Sequence, residues 1–330
     1  MEINHSHSTP EMVFHIAAPK VSYDAHTAMA RPFRPTIIIP TKDRCESLFR
    51  LVESVGQLAG LDRILPEVIV ADNNSRDGTY EIVKATARRF PTTMRVLRVL
   101  RPGKSAAIND AVRIATGDVL VFVDDDVIVD KAWLTSVEEY FRTGEYQVAQ
   151  GTVRLHSPAG DDPEIQRLNQ RYRTIPVIDY PSSLQEVQSL NGSNFFARRG
   201  VVDRIGGFDE RLGPGASGTS EDVEFASRLA SCGLAIGYAH KALVYHHVDR
   251  NRLTDEYFEH WHRHQGRSRL LMRDRGQAHI RFDLLRAYSQ YFYYSLRGKE
   301  RKQYKSKGRI YHYRAMIDAK RGNSARRTGY

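Results

Sequence analysis

The sequence predicts an α/β fold built on a Rossmann-like, mainly parallel β-sheet that is flanked by helices. Short apolar runs alternate along the chain with segments whose apolar residues recur at helical spacing, and the connections between them are short. The apolar runs are continuous rather than alternating, which is typical of strands buried on both faces. Helices that alternate with such strands cover the two faces of a parallel sheet.

The first half of the chain contains four predicted strands and three predicted helices. The strands lie at 36–40, 67–72, 95–100 and 119–124, and the helices at 48–58, 80–90 and 105–115. Polar residues close three of the strands, namely Thr41-Lys42-Asp43, Asp72 and Asp124–Asp126. Because ligands bind beyond the carboxyl ends of the strands in such sheets, we expect the functional site among these residues.

The second half has a mixed pattern of strands and helices. Strands are predicted at 148–155, 189–198 and 234–246, and helices at 161–173 and 221–232. Residues 1–34 show no periodicity, and we expect them to form a flexible extension. The main domain is predicted at 35–250, followed by a basic, aromatic-rich helical extension at 251–330.

The net charge of +10 belongs to the C-terminal extension. Residues 250–330 hold 21 Lys and Arg against 7 Asp and Glu, whereas residues 1–249 hold 28 against 32. A protein that mainly binds nucleic acid carries its basic charge on the binding body, so we do not expect nucleic acid as a partner.

The cysteine content and the apolar runs bear on the compartment. The chain has two cysteines, which exclude a disulfide framework and a Cys-based zinc site. No apolar run approaches the roughly 18 residues of a membrane-spanning helix, and the N-terminus lacks the pattern of a secretory signal. We therefore expect a cytoplasmic protein.

Three adjacent acids, Asp124-Asp125-Asp126, follow the apolar run VLVFV. Their carboxylates repel one another at the end of a buried strand, and a bound cation relieves that repulsion. Mg²⁺ and Mn²⁺ prefer oxygen ligands, which they share with substrate phosphates. The alternative is a solvated acidic turn, which needs only one or two acids.

Two further segments suggest nucleotide contacts. Asp72-Asn73-Asn74-Ser75 fits an Asx turn or a helix cap, or alternatively Asp72 accepts a hydrogen bond from the imide N–H of a uracil-like base. The segment RPGKSAAIN at 101–109 offers a glycine, Lys104 and a helix N-terminus, which together suit a diphosphate. It does not match the P-loop pattern.

Acids and histidines in the second half are also candidates. Glu221-Asp222 begin a helix after the glycine-rich loop 213–219; they either stabilise the helix dipole or include a general base at the mouth of a flexible loop. His246-His247 follow an apolar strand, and imidazole joins carboxylates around Mn²⁺, although a single histidine is usually structural. The histidines at 260, 262 and 264 do not have a usual metal-ligand spacing.

Together these segments resemble the inverting glycosyltransferases of family 2, which have the GT-A fold. The matching segments are IIIPTKDR (37–44), VIVADNNSRDGT (68–79), PGKSAAIN (102–109), ATGDVLVFVDDD (115–126), NGSNFFARR (191–199), IGGFDE (205–210), SEDVEFASRLASCG (220–233) and ALVYHHV (242–248). The resemblance implies a nucleotide-sugar donor and transfer to an acceptor hydroxyl with inversion at the anomeric carbon. We expect a UDP-sugar as donor and Mn²⁺ or Mg²⁺ as cofactor.

The resemblance also implies roles for individual residues. Pro40, Thr41 and Asp72 correspond to base-binding positions. Asp124 and Asp126 match the outer acids of the D-x-D motif, with a ribose contact for the first and a metal contact for the second.

Further roles follow from the same resemblance. Asp222, beside Glu221, matches the catalytic base, and His246 matches a further metal ligand, although the neighbouring His247 leaves the register open. The other expected donor-binding residues are Asp43, Asn74, Lys104, Asn109 and Asp125, and the residues expected to border the donor sugar or the acceptor are Asn191, Gly192 and Asn194. The insert at 156–188 departs from the family pattern at a place where acceptor specificity is set.

Two other functions compete with this interpretation. A nucleotidyltransferase on a related fold usually has a Gly- and Arg/Lys-rich loop after the first strand, which PTKDRCES lacks. A basic protein that binds nucleic acid or a membrane without catalysis is supported by the C-terminal extension alone. The expected partners are a nucleotide-sugar and a glycan, lipid-linked or small-molecule acceptor.

The segment 281–330 raises a separate question. Phe282, Leu285, Tyr288, Phe292 and Leu296 recur at spacings of three or four and form one stripe of a helix. Residues 299–309 follow with six basic residues and one acid. The stripe packs on the protein body or a second subunit, or it contacts an anionic membrane at the inner face, or it binds RNA.

Overall fold

The chain forms one nine-stranded sheet in a computed structural model that describes residues 33–143 and 146–327. The strands are β1 (Pro35–Thr41), β2 (Glu67–Asp72), β3 (Met94–Arg98), β4 (Val119–Val123), β5 (Val127–Val129), β6 (Val148–Leu155), β7 (Glu186–Val187), β8 (Asn194–Arg198) and β9 (Ile236–His246). Their order is β3-β2-β1-β4-β8-β6-β9-β5, with β7 paired to β9. A flexible extension was predicted at 1–34, and residues 1–32 of it lie outside the described residues.

Helices cover the sheet and form the C-terminal part of the chain. They are α1 (Cys45–Gly56), α2 (Leu61–Ile64), α3 (Thr79–Ala87), α4 (Lys104–Ile114), α5 (Trp133–Thr143), α6 (Pro163–Tyr172), α7 (Arg199–Ile205), α8 (Glu221–Ser231), α9 (Asp255–Met272), α10 (Gln277–Leu296) and α11 (Glu300–Arg327). The predicted α/β fold is confirmed. The short elements β5, β7, α2 and α7 were not predicted, and neither was α5, although Leu134, Val137 and Phe141 have helical spacing.

The first four strands are parallel, as predicted. The chain runs outward from β1 through β2 to β3 and then returns to β4 on the other side of β1. The strand order therefore reverses between β1 and β4, which is where ligands bind in such sheets. Thr41 and Asp124 lie at the carboxyl ends of these two strands.

The second half of the sheet is mixed, and its antiparallel pairs bring distant residues to the same edge. Val123 of β4 pairs with Asn194 of β8, so the segment before Asn194 lies beside Asp124. Val127 of β5 pairs with His246 of β9, so the residue before Val127 lies beside that histidine.

The hydrophobic core lies on both faces of the sheet. Alternate residues of β1 face opposite sides of the sheet. Ile37 and Ile39 pack with α1 and α5, and Ile38 packs with α4, α7 and α8. A smaller cluster joins the insert to the C-terminal helices, since Tyr172 of α6 packs against Phe258 of α9. The C-terminal helices are therefore packed on the main body.

Helix α10 keeps its aromatic stripe away from the body. It packs on α11 through Ile280, which is buried together with Met316. Phe282, Phe292 and Leu296 of the stripe are 67%, 65% and 73% exposed. The alternative in which this stripe packs on the body is therefore wrong. Within the described parts of the chain, no helix is both long and apolar enough to cross a membrane.

Candidate active site

A cleft of about 980 Å³ opens at the carboxyl ends of the strands. Of the residues predicted from the sequence, those that line it are Lys104, Asp124, Asp126, Asn191, Gly192, Glu221, Asp222 and His246. The cleft therefore brings together the acidic cluster, the acid pair of α8 and a histidine of β9.

Asp126 and His246 face each other inside this cleft. Asp126 Oδ1 lies 3.3 Å from His246 Nε2, and both residues are buried. Because a carbonyl only accepts, His246 Nδ1 donates to the carbonyl oxygen of His247 at 2.8 Å, and Nε2 is the ring nitrogen that faces Asp126. Asp126 Oδ1 is buried and accepts no hydrogen bond.

This pair fits a divalent cation. A carboxylate oxygen and an imidazole nitrogen are both ligand types of Mn²⁺, and a backbone carbonyl orients the ring, which is the usual arrangement of a metal-binding histidine. No group of three or more His, Cys, Asp or Glu side chains that could hold a metal occurs in the described residues. The protein would therefore supply two ligands, and phosphate and water oxygens the others, as is usual for Mg²⁺.

Two arginines that the sequence analysis missed hold the other oxygen of Asp126. Arg44 Nη1 and Arg252 Nη2 donate to Asp126 Oδ2 at 3.2 and 2.9 Å. Burial alone would raise the pKa of Asp126, but His246, Arg252 and Arg44 lower it to about 2, so the carboxylate stays ionised. Arg44 is the last residue of the segment IIIPTKDR, whereas no local sequence pattern marks Arg252.

The middle acid, Asp125, has a different role from its neighbours. Thr41 Oγ1 donates to Asp125 Oδ2 at 2.7 Å, which joins the ends of β1 and β4. Burial and the adjacent Asp126 raise the pKa of Asp125 to about 7. Because its carboxylate bonds to β1 and does not line the cleft, the predicted donor contact of Asp125 is replaced by a structural one.

Lys104 links the two acidic motifs. Its Nζ lies 2.6 Å from Asp124 Oδ1 and 3.1 Å from Glu221 Oε1. Burial opposes the charge, but the two carboxylates outweigh it and raise the pKa of Lys104. Glu221 thus anchors this lysine at the start of α8.

The N-terminus of α4 is less open than its sequence indicates. The Gly103 N–H donates to Asn73 Oδ1 and the Lys104 N–H to the carbonyl oxygen of Pro214, each at 2.9 Å. These two amides are already bonded within the protein, so the predicted diphosphate contact of this terminus stays a prediction for the following N–H groups and for the Lys104 side chain.

Asp222 points its carboxylate across the cleft. Its Oδ2 accepts from the Gly192 N–H at 2.9 Å, and its Oδ1 accepts from the Val223 N–H at 2.8 Å. Burial, with the adjacent Glu221, raises the pKa of Asp222 to about 7. A Cβ at position 192 would lie 2.8 Å from Lys104 Nζ, so glycine at this position allows the Lys104 side chain to lie close to the backbone.

The residues predicted to bind the base lie together beside the cleft. Thr41 and Asp72 are register partners at the ends of β1 and β2, and Pro40 precedes them in β1. Asp72 Oδ2 accepts from the Ser75 N–H at 3.2 Å, whereas Asp72 Oδ1 is buried without a hydrogen-bond partner.

Two predicted neighbours border the same strand ends. Asp43 Oδ1 accepts from the Arg76 N–H at 2.7 Å, which joins the loops that follow β1 and β2. Asn74 is half-buried in the second of these loops, with its backbone in the left-handed region. Both lie near the base-binding residues and outside the cleft lining.

Two predicted asparagines do not reach the cleft. The Asn109 amide is bonded to both backbone groups of Phe208, at 2.9 and 2.8 Å. Asn194 is fully buried, accepts from Trp133 Nε1 at 2.9 Å and donates to carbonyl oxygens of β6 and β9. Since both amides are used within the protein, their predicted ligand contacts are wrong; Asn191 remains at the cleft.

Much of the remaining lining comes from the end of β6, from the insert and from the C-terminal helices. From the sequence, the insert was connected with the acceptor, whereas the C-terminal helices were not connected with the site. Prominent among these residues are Arg154, Arg173, Tyr257, Trp261 and Arg301. Sequence distance hides them, because α9 and α11 reach the cleft through packing of Phe258 on the insert.

Helix α9 also holds the glycine-rich loop that precedes Asp222. His264 Nδ1 is bonded to the carbonyl oxygen of Ser217 at 2.7 Å, and the hydroxyl groups of Ser217 and Ser268 are 2.7 Å apart. The loop is thus bound on its outer side to α9 and continues into α8. This arrangement fixes the position of the acid pair.

Known proteins resemble this chain in sequence. The model of the family described as Glycosyl transferase family 2 matches residues 36–206. Glycosyltransferase AglE of Haloferax volcanii is 28% identical over 216 residues, which are 64% of this chain and 66% of AglE. Succinoglycan biosynthesis protein ExoM of Rhizobium meliloti is 29% identical over 208 residues, 62% of this chain and 65% of ExoM. The chain thus spans just under two thirds of each relative.

Solved structures share the fold at low identity. Mannosyltransferase PcManGT from Pyrobaculum calidifontis, in complex with GDP-Man and Mn²⁺, has a TM-score of 0.50 and 18% identity, covering 93% of this chain and 81% of that one. S. aureus TarS 1-349 has a TM-score of 0.52 and 16% identity, and the match covers 88% of this chain and 92% of that one. GalNAc-T7 with UDP, GalNAc and Mn²⁺ has a TM-score of 0.54 and 15% identity, and the match covers 74% of this chain and 53% of that one.

Proposed function

Because the chain belongs to glycosyltransferase family 2, we propose that it transfers a sugar from a nucleotide-sugar to an acceptor hydroxyl, with a divalent metal and with inversion at the anomeric carbon. Family membership and the GT-A fold agree with the predicted resemblance. They leave no support for a nucleotidyltransferase or for a protein without catalysis. The metal dependence, the donor and the stereochemistry are the proposed parts.

One arrangement carries the proposal. Asp222 lines the same cleft as the Asp126–His246 pair, and Lys104 joins the two sides through Asp124 and Glu221. Glycosyl transfer needs a base for the acceptor and charge stabilisation for the leaving diphosphate. The cleft holds side chains suited to both tasks.

The proposed reaction exchanges one bond at the anomeric carbon for another. The acceptor oxygen bonds to that carbon while the bond from carbon to the phosphate oxygen breaks, and the nucleoside diphosphate leaves. Asp222 takes the proton of the acceptor hydroxyl. A base that acts on the sugar face opposite the leaving group gives inversion. With a raised pKa near 7, Asp222 is a stronger base than an ordinary aspartate and remains partly ionised at neutral pH.

Asp126 and His246 would hold the metal in this proposal. When bound, the cation would offset the negative charge that develops on the departing diphosphate. The presence of Mn²⁺ in the PcManGT and GalNAc-T7 structures supports the choice of a divalent ion. Arg44 and Arg252 hold the second oxygen of Asp126 and so keep its first oxygen turned towards His246.

The donor proposal rests on Asp72. Its Oδ1 is buried and unpartnered, and such an acceptor gains a hydrogen bond from the imide N–H of uracil. A UDP-sugar is therefore the favoured donor. Guanine also offers an N–H donor, and PcManGT is in complex with GDP-Man, so the two bases must be compared directly.

A panel of nucleotide-sugars tests the proposal. The full chain is incubated with UDP-, GDP- and dTDP-sugars in Mn²⁺ or in EDTA, and the released nucleotide is measured. We expect release from one or more UDP-sugars in Mn²⁺ alone, with weaker donor binding in Asp72→Ala. Release that is equal in EDTA contradicts the metal dependence, and release from GDP-sugars alone contradicts the donor assignment.

The exposed stripe of α10 supports a peripheral contact with an anionic membrane. Phe282, Phe292 and Leu296 are exposed, and exposed basic residues flank them, including Arg286 and Lys302. Exposed aromatic and basic residues on two packed helices suit the interface of an anionic bilayer, at about 1 kcal/mol for each nearby basic residue.

Vesicle sedimentation tests this contact. Wild type and Phe282→Ser/Phe292→Ser are compared on phosphatidylcholine vesicles with and without phosphatidylglycerol, and Leu271→Ser on α9 is the matched control. We expect the double variant alone to lose binding to anionic vesicles. Equal sedimentation of all three, or a stripe variant that changes only the oligomeric state, contradicts the membrane proposal.

A further inference from the structure

The part of the cleft formed by residues 154–178 and by the C-terminal helices is rich in arginine. Arg154, Arg173, Arg252 and Arg301 line it, together with a single acid from the insert, Asp161. Two of these arginines already have carboxylate partners: Arg154 bonds to Asp179, and Arg252 bonds to Asp126. The other two, Arg173 and Arg301, distinguish this surface.

Arg173 and Arg301 have no side-chain hydrogen bond or ion pair with any residue that the structure describes. They come from distant parts of the chain, and the packing of α6 on α11 brings them into one cleft. Arg171 forms an ion pair with Glu300, and the rings of Tyr172 and Tyr304 are 5.5 Å apart. Each contact lies within three residues of one of the two arginines. Both side chains are exposed and line the same cleft. Unpaired guanidinium groups in one cleft favour a bound anion, to which each can donate paired N–H groups.

The backbone that carries Arg173 is firmly held. Its N–H donates to the carbonyl oxygen of Asn169 at 2.8 Å, and the Asn169 amide is bonded to both backbone groups of Ile175. Thr174 Oγ1 donates to the carbonyl oxygen of Arg252 at 2.5 Å. Because the backbone of this segment is fixed before any ligand binds, capture of an anion orders the Arg173 side chain without also ordering its backbone.

Aromatic surface lies in the same part of the cleft. Trp261 and Tyr257 of α9 line it and are half-buried, and their polar groups have no hydrogen-bond partner among the described residues. Such side chains offer an apolar face and a polar edge, which suit a ring with apolar C–H groups and hydroxyls.

We propose that the acceptor carries an anionic group, a phosphate or a carboxylate, which Arg173 and Arg301 bind while its hydroxyl lies at Asp222. The two arginines are then specificity-determining residues for the acceptor. The inference rests on the proposed function, because it assigns this surface to the acceptor. A phosphate and a carboxylate share the same arginine chemistry, so the experiment below separates them.

Binding to the full chain, with UDP and Mn²⁺ present to occupy the donor side, tests the inference. The probes are the 1-phosphates of glucose, galactose, mannose and N-acetylglucosamine, the methyl glycosides of the same sugars, and methyl glucuronide as the carboxylate. We expect at least one anionic probe to bind about 10-fold or more tightly than its neutral counterpart, as charge-assisted pairing predicts. The probe that shows the preference identifies the anion.

Variants assign the preference to the two residues. We expect Arg173→Gln and Arg301→Gln each to remove most of it, Arg173→Lys to retain part of it, and Arg281→Gln on the outer surface of α10 to leave it unchanged. Equal binding of charged and neutral probes, or Gln variants that bind as wild type does, would overturn the inference. Binding of UDP with Mn²⁺, measured in the same samples, reports separately on the proposed function.

Discussion

His246 Nε2 lies 3.3 Å from Asp126 Oδ1 because β5 and β9 pair with Val127 opposite His246. The N–H of His247 donates to the carbonyl oxygen of Asp126 at 2.8 Å and fixes the same register. His246 is 2% exposed and faces Asp126, whereas His247 is exposed and does not line the cleft. The register thus favours one of the two histidines as a metal ligand.

This pairing predicts a selective effect of two adjacent substitutions. His246→Gln should weaken Mn²⁺ binding in the presence of UDP by about 10-fold or more, since it removes one of two protein ligands. His247→Gln is the matched control and should leave it unchanged. Calorimetric titration of Mn²⁺ measures both, and a larger loss in His247→Gln would reverse the assignment.

The acid pair of α8 predicts a second contrast. Asp222→Asn keeps the shape of the side chain but cannot take a proton, so turnover should fall by about 10²-fold or more while donor binding persists. Glu221→Gln weakens the anchoring of Lys104 and should cost less turnover. Rapid-quench turnover and donor titration are measured on both variants; an active Asp222→Asn beside an inactive Glu221→Gln would exchange their roles.

The raised pKa of Asp222 predicts the pH dependence of turnover. A base must be ionised, so kcat/KM should rise about tenfold per pH unit below about pH 7 and level off above it. Measurement at saturating Mn²⁺ removes the contribution of metal binding. A profile that stays flat through this range would show that another group takes the proton.

The same group predicts a trend in stability. The folded-state pKa of about 7 lies above that of an unfolded aspartate, about 3.9, so the folded chain retains a proton that the unfolded chain releases between these values. The contribution of Asp222 to stability is therefore complete below about pH 4 and is lost as the pH rises through about 7. Asp222→Asn removes this loss.

Thermal melts without metal check the trend. The Tm of Asp222→Asn minus that of wild type should increase from about pH 5 to about pH 8, by about 2–4 °C for each kcal/mol. A difference that stays constant or decreases would contradict the assignment of a raised pKa to Asp222.

The loop bound to α9 predicts an effect far from the reacting atoms. Gly218 has a φ of +108°, and a Cβ at this position would overlap the imidazole of His264. Gly218→Ala should displace the loop and lower kcat by more than it lowers donor affinity. Gly200→Ala on α7, where a Cβ meets no atom within 4 Å, is the control and should retain full turnover.

Local patterns identified the parallel half of the sheet and its ligand-binding edge. The strand preceding Asp124 is apolar on both faces and is followed directly by three acids, so the position of the D-x-D motif could be predicted without tertiary information. The acid pair Glu221-Asp222 stood out in the same way, from a helix start after a glycine-rich loop, and the family resemblance selected Asp222 of the two.

Residues that depend on long-range packing could not be found in this way. Arg252 and Trp261 reach the cleft because α9 packs on the insert, and the local sequence does not show that contact. Asn194 was misassigned for a related reason, because the direction of its side chain depends on how β8 pairs with β4. Sequence alone indicates which residue types are present, and strand pairing decides which face the ligand.

The central claim is that this cleft performs metal-dependent glycosyl transfer with Asp222 as the base. The most direct test is Mn²⁺-dependent release of UDP from a UDP-sugar by the wild type, Asp126→Asn and Asp222→Asn, with donor binding measured in parallel. The account predicts release by the wild type in Mn²⁺, none in EDTA or in Asp126→Asn, and bound but unreacted donor in Asp222→Asn. Release by either variant at the wild-type rate would contradict it.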